Sequence, residues 1–426
     1  MIVGAPYFGD LNNTNPKLYL GQLSSPKIYK LGLLVGLFPI FGLDESDITG
    51  MNSLDIFSIT NIIRFIWVTL NLLFLNIYLL RLGIKSVIIN LLNSKFNLSF
   101  ILITLIALGI NKVDDLISWF RFFELSLNLL LIGICISKIR NTYSKEGVII
   151  IFYESLRYVF HLLLIIFTIV AATSPSVAFN VGEDRGIRLG GAFIHPNTFA
   201  LGCISYIIST FILLKLKRLK KSIGFISIFF SIALLIATKS SSGSLTFITI
   251  LFIYTIWRLN YKIRIPMAFL FIILIPILIN SISAQSIQFS GTWLDRTIIY
   301  KQSIEGILDN IWFGIGPFKP IKSYFEKNML FSYWLPAHPH NIFLELLLSR
   351  GLFGGGFIIS VILASVFQLI KAVLKKENLL IVGTLLIIFS IIFHGSFESS
   401  FANAVKPFCH SIFFLAITIL HTNKKP

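Results

Sequence analysis

Apolar stretches of roughly 16 to 25 residues recur along almost the whole chain, each close to the ~20 residues that cross about 30 Å of hydrocarbon. A hydrocarbon layer offers no water to backbone N–H and C=O groups, so a chain crossing it must pair them internally, and a helix does this within each segment. Composition agrees: 55% of the 426 residues are hydrophobic and only 13% are charged, more apolar surface than a soluble fold can hide. The expected fold class is all-α, a polytopic membrane helix bundle of about 12 transmembrane helices. They are placed near residues 31–43, 62–80, 98–111, 121–137, 148–173, 191–214, 222–238, 243–257, 265–283, 351–371, 379–397 and 405–421.

The net charge of +17 invites a nucleic-acid reading, because basic surfaces attract phosphate whatever the sequence. The positions of the charges argue against it. Threading the helices alternately puts about 22 of the 36 Lys and Arg, with only about three acids, in the N-terminal arm, one set of loops and the tail. This is the positive-inside bias of a bacterial-type inner membrane protein, and the expected surroundings are membrane lipids, with no nucleic acid. Three clusters mark the cytoplasmic side: Lys215 to Lys221, Arg258 to Arg264 and Lys371 to Lys376. The other side is nearly neutral, with Asp44, Glu45, Asp47, Asp55, Asp114, Asp115, Glu183 and Asp184 offsetting its cations. Both termini are expected in the cytoplasm. The first thirty residues carry Pro6, Pro16 and Pro26 and lack the apolar core of a cleavable signal peptide. Cys135, Cys203 and Cys409 lie in apolar runs and read as small buried hydrophobes.

Four regions follow: a cytoplasmic arm at 1–30, a transmembrane bundle at 31–283, an outer, periplasmic loop at 284–350 and C-terminal transmembrane helices at 351–421. The outer loop exceeds the ~12 to 15 residues usual for an unstructured connection, and loops of that length are usually functional. Within it Ile299, Ile304, Ile307, Leu308, Ile311 and Trp312 cluster toward one side of a helix, while Lys301, Gln302, Glu305 and Asp309 face elsewhere. That pattern fits a helix lying on the membrane or capping the bundle. Gly314, Gly316, Pro317 and Pro320 end it. A second, non-crossing helix is expected from Asn341 to Ser349, with Gly351 and Gly354 to Gly356 allowing a bend or close packing.

Three outer segments hold unusual polar clusters. In the first, Glu183-Asp184-Arg185 and Arg188 precede Gly190-Gly191 and His195-Pro196-Asn197 at a helix start. Arginine offers a planar fork that binds phosphate bidentately, and helix N-terminal amides add donors. Structurally, Arg185 can instead pair with Glu183 or Asp184, and His195-Pro196-Asn197 can serve as a cap. The second segment is Trp293-Leu294-Asp295-Arg296, heading the surface helix. The third is Pro336-Ala337-His338-Pro339-His340-Asn341, where prolines restrict the backbone and Asn341 suits an N-cap. A histidine near its ordinary pKa of ~6.5 can take the proton of a sugar hydroxyl at physiological pH.

These motifs, in this order, resemble the bacterial O-antigen ligase and polymerase superfamily. The features are Arg188 to Gly191, Pro196-Asn197, Arg296, the Gly314 and Gly316 turn, His340-Asn341, and Leu347-Gly351-Gly354. The resemblance spans roughly 180 to 400 and includes the late outer loop; the N-terminal third matches only in hydropathy. It implies an inverting GT-C type glycosyltransferase working without nucleotide sugar, metal or other cofactor. The implied donor is a glycan on undecaprenyl diphosphate, and the acceptor a glycan or lipid A core sugar. Arg188 and Arg296 would clamp the diphosphate, with Arg185 as a further candidate. His340 would orient or deprotonate the acceptor hydroxyl, with His338, Asn341 and Asn197 as substrate-binding neighbours. Asp295 departs from the family pattern, where Gly often precedes the arginine, and His338-Pro339 leaves open which histidine faces the acceptor.

Two signals compete. Asp44-Glu45-Ser46-Asp47 offers the hard oxygen ligands a divalent cation wants, or is a solvated acidic loop. Glu154, Arg157 and His161 share one helix face and can act as a proton relay, as in a proton-coupled transporter, or as a structural cluster. No inverted repeat or pair of broken helices at matching places supports transport.

Overall fold

The computed structural model describes residues 27–37, 59–92, 94–113, 116–182, 186–190, 195–267, 270, 292–318, 321–328, 338–397 and 407–421. Asp44, Glu45, Asp47 and Arg185 lie outside the described residues, as do Cys409's side chain and most of the helix expected at 265–283. The described chain is helical apart from one small hairpin, the all-α bundle that hydropathy calls for. The helices are α1 Lys27–Leu37, α2 Ile59–Leu92, α3 Lys95–Ile110, α4 Leu116–Thr142 and α5 Lys145–Thr173. The hairpin strands β1 Phe179–Gly182 and β2 Gly186–Leu189 follow, then α6 Pro196–Lys215, α7 Lys221–Ala237 and α8 Ser241–Arg258. The outer layer holds α9 Thr292–Asp309 and α10 Ile321–Asn328, and the chain continues through α11 Ile342–Lys375, α12 Leu379–Gly395 and α13 Pro407–His421.

Among the described residues, five helices are long and apolar enough to cross a membrane, and α3, α7 and α12 are shorter apolar helices. The centre is α6, buried along nearly its whole length by α5, α7, α8 and α12. By contrast, α2 and α7 expose apolar side chains such as Leu80, Ile84, Phe225 and Phe229, the surface that lipid tails would cover. Between helices, buried polar groups bridge backbones: Asn128 Nδ2 donates to Gly36 O at 2.8 Å, and Tyr153 O–H reaches Leu380 O at 3.0 Å and Thr384 Oγ1 at 2.9 Å. Cys135 and Cys203 are buried as small hydrophobes.

Three elements depart from expectation. Helix α2 runs to Leu92 rather than ending near 80, because Gly83 takes φ 72° and lets it kink past Arg81 and Lys85. Helix α6 starts at Pro196 rather than 191; proline lacks the N–H that a first turn would leave without an intrahelical partner. The apolar face of α9 is divided. Ile299 is buried with Ile321, Phe325 and Leu348, with Ile307 packed against them, whereas Ile304, Leu308, Ile311 and Trp312 are exposed.

The expected bend at Gly351 is present, and its physical basis is a backbone crossing. Gly351 takes φ 61° and splits α11 into a short first segment and a longer apolar one. Breaking a helix strands carbonyls on one side and N–H groups on the other. The segment after α9 satisfies both sets. Ile315 and Gly316 N–H donate to Leu348 and Ser349 O at 2.8 and 3.2 Å, while Leu352 and Phe353 N–H donate to Ile311 and Trp312 O at 2.8 and 3.0 Å. The backbones approach so closely that a methyl on Gly314 would strike Ser349 and Arg350, and one on Gly351 would strike Trp312 and Phe313. These two glycines thereby weld the segment after α9 to α11.

Candidate functional site

The hairpin pairs Asn180 with Arg188 and Val181 with Ile187, and Gly190 N–H closes onto Ala178 O at 3.0 Å. Two short strands place Arg188 over the end of α7. Its Nε donates to Thr238 O, the carbonyl of the α7 C-cap, at 3.0 Å, and its Nη2 donates to Asn197 Oδ1 at 3.4 Å. Both of these acceptors are neutral, so the contacts orient the guanidinium without cancelling its charge. Asn197 is buried in the first turn of α6. His195 caps that helix, its Nδ1 accepting from Asn197 N–H at 3.3 Å. The capping alternative for His195 is therefore the observed one, and Asn197 adds a second task by holding Arg188.

Thr238 opens the turn into α8, where Lys239 is exposed at φ 48° and Ser240 is the N-cap. Ser240 Oγ accepts from Gly243 N–H at 3.0 Å and lies 3.2 Å from Ser242 Oγ. A methyl on Gly243 would press on Ala200 at 2.6 Å, so the turn sits tightly against α6. From Ser242 the chain of contacts continues to His394 Nε2 at 3.3 Å, in the last turn of α12. Just beyond, Ser396 O accepts from Asn341 Nδ2 at 3.3 Å.

Asn341 caps α11 as its sequence position predicts, its Oδ1 accepting from Phe343 and Leu344 N–H at 2.9 and 3.2 Å. His340, immediately before it, adopts φ 51°, a left-handed backbone that costs a side-chain-bearing residue about 1–3 kcal/mol and persists where surroundings impose it. Its N–H donates to His338 Nδ1 at 3.3 Å, and the two rings lie 4.1 Å apart. Because His338 Nδ1 accepts here, the proton of its neutral ring belongs on Nε2. His338 is thus engaged in setting the backbone of His340, which separates the roles of two residues that the sequence left interchangeable.

Arg296 is half-buried on the first half of α9, one turn before Ile299, which packs against Ile321, Phe325 and Leu348. Its tie to the histidine segment runs through this apolar layer and the glycine crossing. The side chain of Asp295 lies outside the described residues. Short contacts thus link Arg188 to Asn197 and to the turn at Thr238, Ser242 to His394, and Ser396, two residues on, to Asn341, while α9, which carries Arg296, packs against α11.

Sequence reading missed two features. His394 is 1% exposed, and the signal available was a polar residue in the last turn of an otherwise apolar span. Arg350 is also 1% exposed, with its guanidinium 5.2 Å from the Phe318 ring and 5.7 Å from the Phe100 ring. Burial against two aromatic faces supports the helix break from below. In α5, His161 Nδ1 lies 2.8 Å from Arg157 O and its Nε2 lies 3.0 Å from Tyr206 O–H on α6. The histidine of that cluster is hydrogen-bonded across two helices.

Residues 226–359 match a family model described as O-antigen ligase. The matched span contains the serine turn, Arg296, the glycine crossing and the His338–Asn341 segment; Arg188 precedes it. No curated protein matches the chain.

Proposed function

We propose that the chain, whose residues 226–359 match the O-antigen ligase family model, is a member of the O-antigen ligase and polymerase superfamily and transfers a glycan from undecaprenyl diphosphate to an acceptor sugar at the periplasmic face of a bacterial inner membrane. The observation that carries this reading is the continuous set of contacts from Arg188 to the segment bearing His340. The outer loop, 284–350, supplies the catalytic segment, and the basic clusters at the opposite helix ends support cytoplasmic termini.

The chemistry is a single inverting displacement. The acceptor oxygen attacks the anomeric carbon, the bond from that carbon to the diphosphate oxygen breaks, and the hydroxyl proton passes to His340. Diphosphate is a good leaving group, so stabilising its growing charge matters more than protonating it. Arg188 and Arg296 supply that stabilisation, with Arg185 as a further candidate, in a metal-independent reaction. If chelation abolished transfer and added magnesium or manganese restored it, the acidic segment Asp44–Asp47 would replace the arginines as the charge-neutralising element.

Within the superfamily the ligase role, with lipid A core as acceptor, is the one we favour, because the late arginine and His-Asn segments resemble ligases best. Gene deletion followed by gel analysis of surface polysaccharide decides it. Loss of long chains from lipid A core, with polymer still built on the carrier, is the expected result. Single capped repeats would indicate a polymerase, and unchanged glycans with altered solute uptake would indicate a proton-coupled transporter.

A further inference from the structure

We propose that His394 is a positioning residue for glycan transfer, holding the Arg188 shelf and the His340 segment in fixed register through the end of α12; this rests on the function proposed above. The end of α12 has two neighbours. Its His394 side chain pairs with Ser242, at 3.3 Å, in the turn whose Thr238 carbonyl takes the Arg188 Nε proton. Its Ser396 carbonyl accepts a hydrogen bond from Nδ2 of Asn341, the residue after His340. The diphosphate-binding and proton-accepting sides of the reaction therefore share one support.

That support is well anchored. Asn378 caps the start of α12 by accepting from Leu380 N–H at 2.9 Å, and Tyr153 bonds to Leu380 O and Thr384 Oγ1. Gly383 lets α12 close onto Ile212 of α6, where a methyl would collide. A buried, apolar helix fixed along its length moves little, so its last turn can set the separation of two segments distant in sequence. The serine turn has no such anchor in sequence. Ser240 and Ser242 are linked to each other at 3.2 Å, and His394 extends that link to a different part of the chain. Register of this kind acts on the transition state, in which nucleophile, anomeric carbon and departing diphosphate must align, and a displacement of 1 Å can cost on the order of 100-fold in rate.

The test uses the full-length protein reconstituted in lipid with a carrier-diphosphate-linked glycan and an acceptor, comparing His394→Ala, His394→Gln, Ser242→Ala and the Ser242→Ala/His394→Ala pair. His394→Ala and Ser242→Ala are each expected to lower kcat roughly 10- to 100-fold, with the donor KM unchanged, as for an interaction made only in the transition state. The double variant should be no worse than the more impaired single one, because both remove one contact. His394→Gln, which keeps a hydrogen-bonding nitrogen or oxygen near the position of Nε2, should restore much of the rate. A lowered melting temperature with unchanged kcat per folded molecule would show a purely structural role and overturn the proposal, as would additive losses in the double variant. If His394→Ala does not fold, Ser242→Ala decides, and a wild-type kcat there overturns it. Arg188→Ala and His340→Ala run alongside: if they are inactive while the His394 and Ser242 variants are active, only the positioning role fails. If they too are fully active, the proposed function fails and the positioning role with it.

Discussion

The two ends of the bundle use arginine in the same way locally and differ in what surrounds it. At the end that carries the basic clusters, Arg264 Nη1 donates to Leu374 O at 3.0 Å and its Nη2 to Leu259 O at 2.6 Å, both near helix C-termini. Lys145 Nζ reaches Leu420 O at 3.3 Å, and Trp257 Nε1 reaches Glu377 O at 3.2 Å. Cations near helix C-termini offset the partial negative charge of terminal carbonyls. At the outer end, Arg188 donates to the C-cap carbonyl of α7 by the same logic. The difference is burial. Arg264 is 3% exposed, whereas Arg188 is half-buried beside a hairpin, a serine turn and a strained histidine segment. A capping arginine sealed in the bundle supports structure; one that is half-buried keeps part of its surface within reach of a ligand.

Five substitutions sharpen that contrast, beginning with the strongest. Gly351→Val should abolish folded protein, because it combines a left-handed backbone costing about 1–3 kcal/mol with a collision against Trp312; size-exclusion profiles in detergent would show it. A monodisperse, active variant would mean the crossing is looser than its hydrogen bonds indicate. His340→Ala should cost about 10²- to 10⁴-fold in turnover, the range for loss of a general base, at nearly unchanged melting temperature. His338→Ala should cost less, since its Nδ1 is engaged with the His340 backbone, and equal losses would erase the distinction drawn between the two rings.

Arg264→Ala should do the reverse. Losing charged hydrogen bonds worth about 1.5–3 kcal/mol each would lower thermal stability while leaving turnover per folded molecule intact. A selective loss of turnover would blur the division of labour between the ends. The smallest effect is expected at Lys217, which takes φ 58° in the loop between α6 and α7. Lys217→Gly relieves that conformation and loosens the unfolded chain, opposing terms that leave stability within about 1 kcal/mol; a thermal melt reads the difference.

The helices were legible because hydrocarbon demands long apolar segments, and the break at Gly351 because glycine followed a polar helix start. The hairpin strands at 179–182 and 186–189 were not, since at four residues each their alternation is too short to stand out beside the long apolar runs. Asn341 was legible as a cap because capping is local. His394 was not, because its partner Ser242 stands 152 residues away and each looks ordinary in its own segment. Short Ser/Gly turns are common connections, and the approach of Arg188 to Thr238 is what gives this one a role. Local chemistry is written in sequence spacing, whereas a register between three distant segments exists only once helices pack.

The central claim is that the outer end, through Arg188, performs glycan transfer. Its most direct test is the rate of glycan transfer by purified Arg188→Ala and Arg264→Ala proteins, reconstituted with carrier-diphosphate-linked donor and acceptor and normalised to folded protein. Arg188→Ala should lose about 10²- to 10³-fold in turnover, the cost of removing a donor that stabilises developing negative charge, and Arg264→Ala should match wild type. Wild-type turnover in Arg188→Ala would contradict the account.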